Sequence, residues 1–248
     1  MRVAATRTYW DSVVETWPTS AAGARLREYS DSVNRALLAR WLPPRAGRLL
    51  KTDLFDEAVG AGLYPFLRER ADEVVGVDLS TASVAAARRR YPELSGEVAD
   101  VRSLSFESGS FDIVVSNSTL DHFESLEDIA QGIRELERVL APGGILVISL
   151  DNPLNPLVAL RNRLPFGWLH GARLVPCRVG ATCGPRRLRG LLHRAGLEVT
   201  AETAIMHVPR VLVAGFGLPG LLGPGERLAR TPVRYLTGQF VAARAVKR

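Results

Sequence analysis

Apolar residues fall along this chain in two rhythms. Short β-branched or leucine-rich runs alternate with longer stretches in which apolar positions recur every three or four residues. The first rhythm predicts strands and the second predicts helices. Residues 1–42 follow the helical rhythm. Tyr9, Trp10, Val13, Val14 and Trp17 crowd one face, and Leu26, Tyr29, Val33, Leu37 and Leu38 line a second segment from Ala24 to Trp41, which Pro43-Pro44 stops. Since these helices precede the first strand, they are an addition to the core. Their aromatics read most simply as ordinary packing.

The strand rhythm begins at Arg48. Leu49, Leu50, Leu54 and Phe55 predict the apolar part of a first strand, Asp56–Gly62 a glycine-bearing turn, and Leu63, Phe66 and Leu67 a helix. Val74, Val75 and Val77 predict a second strand ending at Asp78. Ser80 or Thr81 then caps an alanine- and arginine-rich helix to Arg90. Glu97–Val101 reads as a third strand and Phe111–Asn117 as a fourth. Glu124–Leu140 reads as a helix, Ala141–Gly144 as a sharp turn and Ile145–Leu150 as a buried fifth strand. Residues 151–185, rich in Pro, Gly and aromatics, predict an irregular insertion. A helix from Arg186 to Ala195 stops at Gly196, followed by strands over Leu197–Ala204 and Gln239–Ala245. Alternation of this kind predicts an α/β fold, a doubly wound and mostly parallel sheet with right-handed crossovers. The expected organisation is a helical cap over 1–44, an α/β core over 45–150, a cap insertion over 151–185, and completion of the sheet over 186–248.

Composition narrows the function class. A chain of 248 residues, 46% hydrophobic and 23% charged, suits one large globular domain with a cap. The net charge of +6 reads as a modest excess spread along the chain, which argues against nucleic-acid binding. Cys177 and Cys183 make no disulfide framework, and no His/Cys cluster has zinc spacing, so no metal is expected. The N-terminus lacks a long apolar run, and the longest apolar stretch, Val208–Gly223, is broken by prolines, glycines and Arg210. A cytoplasmic protein without stable membrane insertion is expected. The oligomeric state stays open.

Residues 48–80 carry the chemistry. Asp56-x-Ala58-x-Gly60-x-Gly62 follows the first strand and Asp78 ends the second. Glycine lets a ligand approach backbone N–H groups, and a carboxylate ending the neighbouring parallel strand can accept bonds from a ribose. Phe111-Asp-Ile-Val-Val-Ser116 followed by Leu120-Asp-His-Phe123, and Glu137-Arg-Val-Leu-Ala-Pro-Gly-Gly-Ile-Leu-Val147, complete the pattern. Over residues 48–150 the chain resembles the class I S-adenosylmethionine-dependent methyltransferases, whose loop reads acid-x-Gly-x-Gly-x-Gly. Ala58 stands at the first glycine, and Lys51, Thr52 and Asp53 are unusually polar for a buried parallel strand.

The resemblance implies a seven-stranded Rossmann-like sheet with an antiparallel last strand, S-adenosyl-L-methionine as cofactor, and a cofactor site formed by Asp56, Ala58, Gly60, Gly62, Asp78, Leu79, Asp100, Val101 and Asn117. It also implies an N-terminal helix closing over the cofactor and an insertion shaping the acceptor pocket. Taken alone, Asp100 could equally be a turn carboxylate. Methyl transfer from a sulfonium requires alignment and, for O–H or N–H acceptors, a base. His122, just after the fourth strand, is the candidate base, since a free histidine titrates near about 6.5. A structural hydrogen bond at a helix start is the alternative role. His170 and His207 are weaker candidates, and His193 reads as surface. The apolar insertion and Val208–Gly223 suggest a small hydrophobic acceptor, a natural-product or lipid intermediate. Two other classes remain open: a non-methylating cyclisation or rearrangement on the same fold, and a non-catalytic binding subunit.

Overall fold

In the computed structural model, residues 3–17, 20–172, 175, 177–216, 223 and 225–248 are described. Parts of the insertion (173, 174, 176) and of the apolar stretch (217–222) lie outside them. Helices α1 (Val3–Glu15) and α2 (Ala21–Trp41) lead into β1 (Ala46–Lys51). Two short helices, α3 (Phe55–Val59) and α4 (Tyr64–Leu67), precede β2 (Ala71–Asp78). There follow α5 (Thr81–Arg90), β3 (Ser95–Val98), β4 (Phe111–Asn117), a 3-10 turn at Leu120–His122, α6 (Leu126–Val139) and β5 (Leu140–Asp151). The insertion carries α7 (Pro156–Arg163) and α8 (Phe166–Gly171). The chain closes with α9 (Pro185–Arg194), β6 (Leu197–Ile205), α10 (Arg210–Phe216) and β7 (Phe240–Lys247).

The seven strands lie in the order β3-β2-β1-β4-β5-β7-β6. β1 to β5 are parallel, and β7 runs antiparallel to both β5 and β6. Both faces of the sheet are covered, because alternate residues of each strand point to opposite sides. Leu49, Val74, Ile113 and Val147 pack with Leu38, Leu63 and Val84 on one side. Leu50, Val75, Val114 and Leu146 pack with Ile129, Ile133 and Leu188 on the other. Strand order reverses between β1 and β4, where the carboxyl ends of a doubly wound sheet open a crevice.

Three sequence expectations shift. The first strand ends at Lys51, not Phe55. Leu54 leaves the strand but stays fully buried, lying over Gly76, where a Cβ would come 2.5 Å from its Cδ2. The third strand is Ser95–Val98 rather than Glu97–Val101, because Asp100 turns back to bridge Ser103. The turn at 141–144 is a bulge within β5: Leu140 pairs with Phe111 and Ile145 with Ile113, while Gly143 adopts φ +77°.

Candidate functional site

A cavity of about 650 Å³ lies over the carboxyl ends of β1, β2 and β4. That size suits a cofactor together with a small molecule. Its floor includes Thr52, Asp53 and Phe55 after β1, Asp78 and Leu79 after β2, Asp100, Val101 and Arg102 after β3, and Thr119, His122 and Phe123 after β4. Tyr9 and Trp10 of α1 and residues 177–180 of the insertion also line it.

Among the sequence candidates, Asp78, Leu79, Asp100, Val101 and His122 are brought together on this cavity, whereas Asp56, Ala58, Gly60, Gly62 and Asn117 are not among its lining. The glycines are displaced for a physical reason. Lys51 Nζ lies 2.8 Å from Glu57 Oε2, with Lys51 4% and Glu57 0% exposed, and it also donates to the Asp53 carbonyl. Glu57 Oε1 accepts from the backbone N–H of Leu63 at 2.8 Å and Tyr64 at 3.0 Å. This ion pair organises the turn from inside and sets α3 between β1 and the glycines. Gly62, at φ +64°, is required there because a Cβ would sit 2.5 Å from the Glu57 carboxyl carbon. Gly60 faces the Arg27 side chain.

Burial opposes the Lys51 charge, yet Glu57, Asp53 and Asp56 outweigh it and raise the Lys51 pKa. The nearby acids are pushed the other way from ionisation. Burial, with Asp78 and Glu57 close by and Lys51 opposing, lifts Asp53 to about 6. Burial, with Asp53 and Glu57 nearby, lifts Asp56 to about 7.

Asp78 takes the backbone N–H of Leu54 on Oδ2 at 3.0 Å and that of Ser80 on Oδ1 at 2.7 Å, while burial raises its pKa. The Ser83 hydroxyl also donates to it, and since a carboxylate has about four acceptor sites, about one remains for a hydroxyl. At Asp100 burial works upward, but Arg102 outweighs it and holds the pKa below the usual range. The guanidinium donates from Nη2 at 2.7 Å and Nε at 3.0 Å, also grips Asp128 at 2.8 Å, and lies 4.8 Å from the Phe123 ring centre.

Ser118 is held at φ +50°, an uncommon backbone for a residue with a Cβ. Asp121 fixes the following turn, its Oδ2 accepting from the Ser118 hydroxyl at 2.9 Å and the Asp151 N–H at 3.1 Å. His122 is thereby set facing the cavity. Its Nδ1 lies 2.9 Å from the Arg178 carbonyl, and a carbonyl can only accept, so Nδ1 donates and, in the neutral ring, the lone pair is on Nε2. Trp10 meets the ring edge-on at 4.7 Å. Helix α1 is tied down at both sides: Asp11 accepts from the Ser80 hydroxyl and the Ala82 N–H, and the Tyr9 oxygen accepts from Arg178 N–H. Cys177 lines the same cavity, but burial pushes its pKa up to about 12, so it stays a thiol.

Thr52, Asp53, Phe55, Tyr9, Trp10, Arg102 and Phe123 are cavity residues that the sequence patterns did not single out as such. The one available signal was the polar trio Lys51–Asp53, which marks the end of β1. The other histidines sit elsewhere: His170 Nδ1 donates to the Val175 carbonyl, and His207 is buried between Thr237 and Ala204.

Residues 55–148 match the family described as "Methyltransferase domain". A demethylmenaquinone methyltransferase of Thermus thermophilus is 34% identical over 181 residues, spanning 64% of this chain and 80% of that protein. A ubiquinone biosynthesis O-methyltransferase of Pseudomonas paraeruginosa is 34% identical over 123 residues, 47% of this chain and 51% of that one. Among solved structures, the [4+2]-cyclase SpnF superposes with a TM-score of 0.57 at 20% identity, covering 86% of this chain and 79% of its own. With a parallel sheet of this order, a cavity at its switch point and a relative matched over most of its length, the chain belongs to the class I S-adenosylmethionine-dependent methyltransferases.

Proposed function

We propose that this methyltransferase acts on a small, apolar acceptor, a natural-product or lipid intermediate, and that His122 is its general base. The observation that carries the reading is the contact of His122 Nδ1 with the Arg178 carbonyl on the cavity wall, which in the neutral ring leaves Nε2 as the proton acceptor. The residues present fit the cofactor. Asp78 keeps about one acceptor site for a ribose hydroxyl, Leu79 and Val101 offer apolar contacts for the adenine, and Asp100 keeps acceptor capacity beside Arg102. Asp53, on the cavity at the end of β1, would meet the ammonium of the methionine end. When bound, S-adenosylmethionine supplies a methyl group activated by its sulfonium.

This chain's own work is then to align the acceptor under Tyr9 and Trp10, exclude water with α1, and take one proton from an O–H or N–H acceptor at His122 Nε2. The aromatic wall supports an apolar acceptor, as do the names of the two relatives, both from quinone metabolism.

The test is an acceptor screen read as S-adenosylhomocysteine release together with a methylated product. Turnover of apolar phenols or quinols over polar amines is expected, and preference for polar acceptors would overturn the acceptor class. One observation favours a second reading, a non-methylating rearrangement: the Lys51–Glu57 pair organises the glycine turn and its glycines are not among the cavity lining, as a fold neighbour, the [4+2]-cyclase SpnF, performs a reaction of that kind. Product formation without S-adenosylhomocysteine would select it.

A further inference from the structure

Counted by position, the positive charge is not spread along the chain as its total suggested. Residues 1–151 carry 17 basic and 23 acidic side chains, whereas residues 152–248 carry 15 basic and 3 acidic. From Asn152 to Leu197 there is no carboxylate side chain at all, against eight arginines. The helices of the insertion occupy this acid-free segment. Leu157, Leu160 and Leu164 recur at spacings of three and four, so they share one face of α7 and its end. That face points outward: Leu157 is 59% and Leu160 55% exposed, with Leu154 at 49% beside them in sequence and Trp168 of α8 at 77%. The opposite sides of the two helices are anchored through buried Val158 and Leu169, and Asn155 ties the start of α7 to the Thr237 carbonyl. The leucines and the tryptophan therefore stand exposed on a fixed scaffold, with none of the described residues covering them. Arg163 is exposed on α7, and Arg178 lies 5.6 Å from the Phe166 ring of α8.

We propose that the α7–α8 face is a docking surface for an anionic lipid bilayer. Exposed leucines and a tryptophan beside exposed Arg163 and Arg178, in a segment that itself carries no acid, match what an interfacial helix needs: apolar side chains to enter the acyl boundary and cations to meet phosphate headgroups. Among the described residues no helix is long and apolar enough to cross a membrane, so the contact is peripheral. A second copy of the chain fits less well. An isologous contact would set one acid-free arginine segment against another with no carboxylate on it to pair. The same insertion continues into residues 177–180 on the cavity wall, so a docked chain would open its site near the lipid. Only that corollary rests on the apolar-acceptor reading.

The experiment is flotation of the full chain with vesicles of phosphatidylcholine alone or with about 30 mol% phosphatidylglycerol, at low and high salt. It needs neither cofactor nor acceptor, so its failure leaves the methyl-transfer reading untouched. The chain should float with the anionic vesicles, and salt should weaken the binding. L157E/L160E and W168E should each cut partitioning by about ten-fold or more while melting temperature and S-adenosylhomocysteine affinity stay unchanged. No flotation of the wild type at low salt would overturn the proposal. So would equal flotation of the variants, or a wild-type dimer in sedimentation velocity that the variants dissociate.

Discussion

The ends of β1 and β4 lie side by side beneath the cavity, joined by the Thr52 hydroxyl, which donates to Ser116 at 2.9 Å and lies 2.8 Å from Thr119. Each end must hold a turn rigid where a ligand meets backbone. At β1 the turn is set by a fully buried ion pair whose carboxylate also collects two backbone N–H groups. At β4 it is set by a residue in the left-handed region and a carboxylate that gathers a hydroxyl and an N–H. The difference teaches a division of labour. Buried charge gives β1 a fold-critical turn with its glycines off the cavity lining, while a left-handed residue and neutral donors at β4 set one imidazole on that lining. Changes at β4 should therefore be read in rate, and changes at β1 in stability.

The sharpest break would come at β4. His122→Ala should lower turnover by about 10²–10⁴-fold with unchanged S-adenosylhomocysteine affinity by calorimetry. Near wild-type turnover on an O–H acceptor would remove the base assignment. At β1, Lys51→Met leaves the buried Glu57 carboxyl without its partner and should cost about 3–5 kcal/mol in urea unfolding. Adding Glu57→Gln should recover much of that loss. An additive double variant would show that the two side chains act independently.

Between these ends, Asp78→Ala should weaken cofactor binding by about 1.5–3 kcal/mol, the range for charged hydrogen bonds, and equal affinity would take Asp78 out of the site. A smaller effect follows from Asp56. Its pKa stands at about 7 in the folded chain against an ordinary 3.8, so the native state keeps a proton that the unfolded chain releases as pH rises above 4. Its contribution to stability is full below pH 4 and is lost as pH climbs through 7. Asp56→Asn, which cannot ionise, should equal the wild type at pH 4 and exceed it at pH 8. Thermal melts at the two pH values check the sign. Smallest of all, Gly60→Ala should leave cofactor affinity unchanged, since Gly60 faces Arg27 and not the cavity. A clear loss would mean the loop reaches the ligand.

The same contrast explains what was legible in the sequence. β4 was read residue for residue, because Ile113, Val114 and Val115 form an unbroken apolar run with Ser116-Asn117 at its end. β1 was misread because apolarity reports burial rather than strand. Leu54 is as buried as Leu50 but belongs to a loop packed over Gly76. Acids at strand ends reached the cavity, since a parallel sheet delivers all its carboxyl ends to one side. The glycines did not, because the Lys51–Glu57 pair is a contact across six residues that no periodicity encodes. Tyr9 and Trp10 were seen as apolar, but their place on the cavity depends on Asp11 finding Ser80, far along the chain.

The buried pair also constrains how this loop can have changed. A lineage that replaced Lys51 first would strand a carboxylate among backbone donors, and one that replaced Glu57 first would strand an ammonium and release Leu63 and Tyr64. Each single step crosses a valley, so the two codons are epistatically locked and drift around them is one-sided. A library that varies both codons together should yield working loops that no succession of viable single substitutions connects to this one.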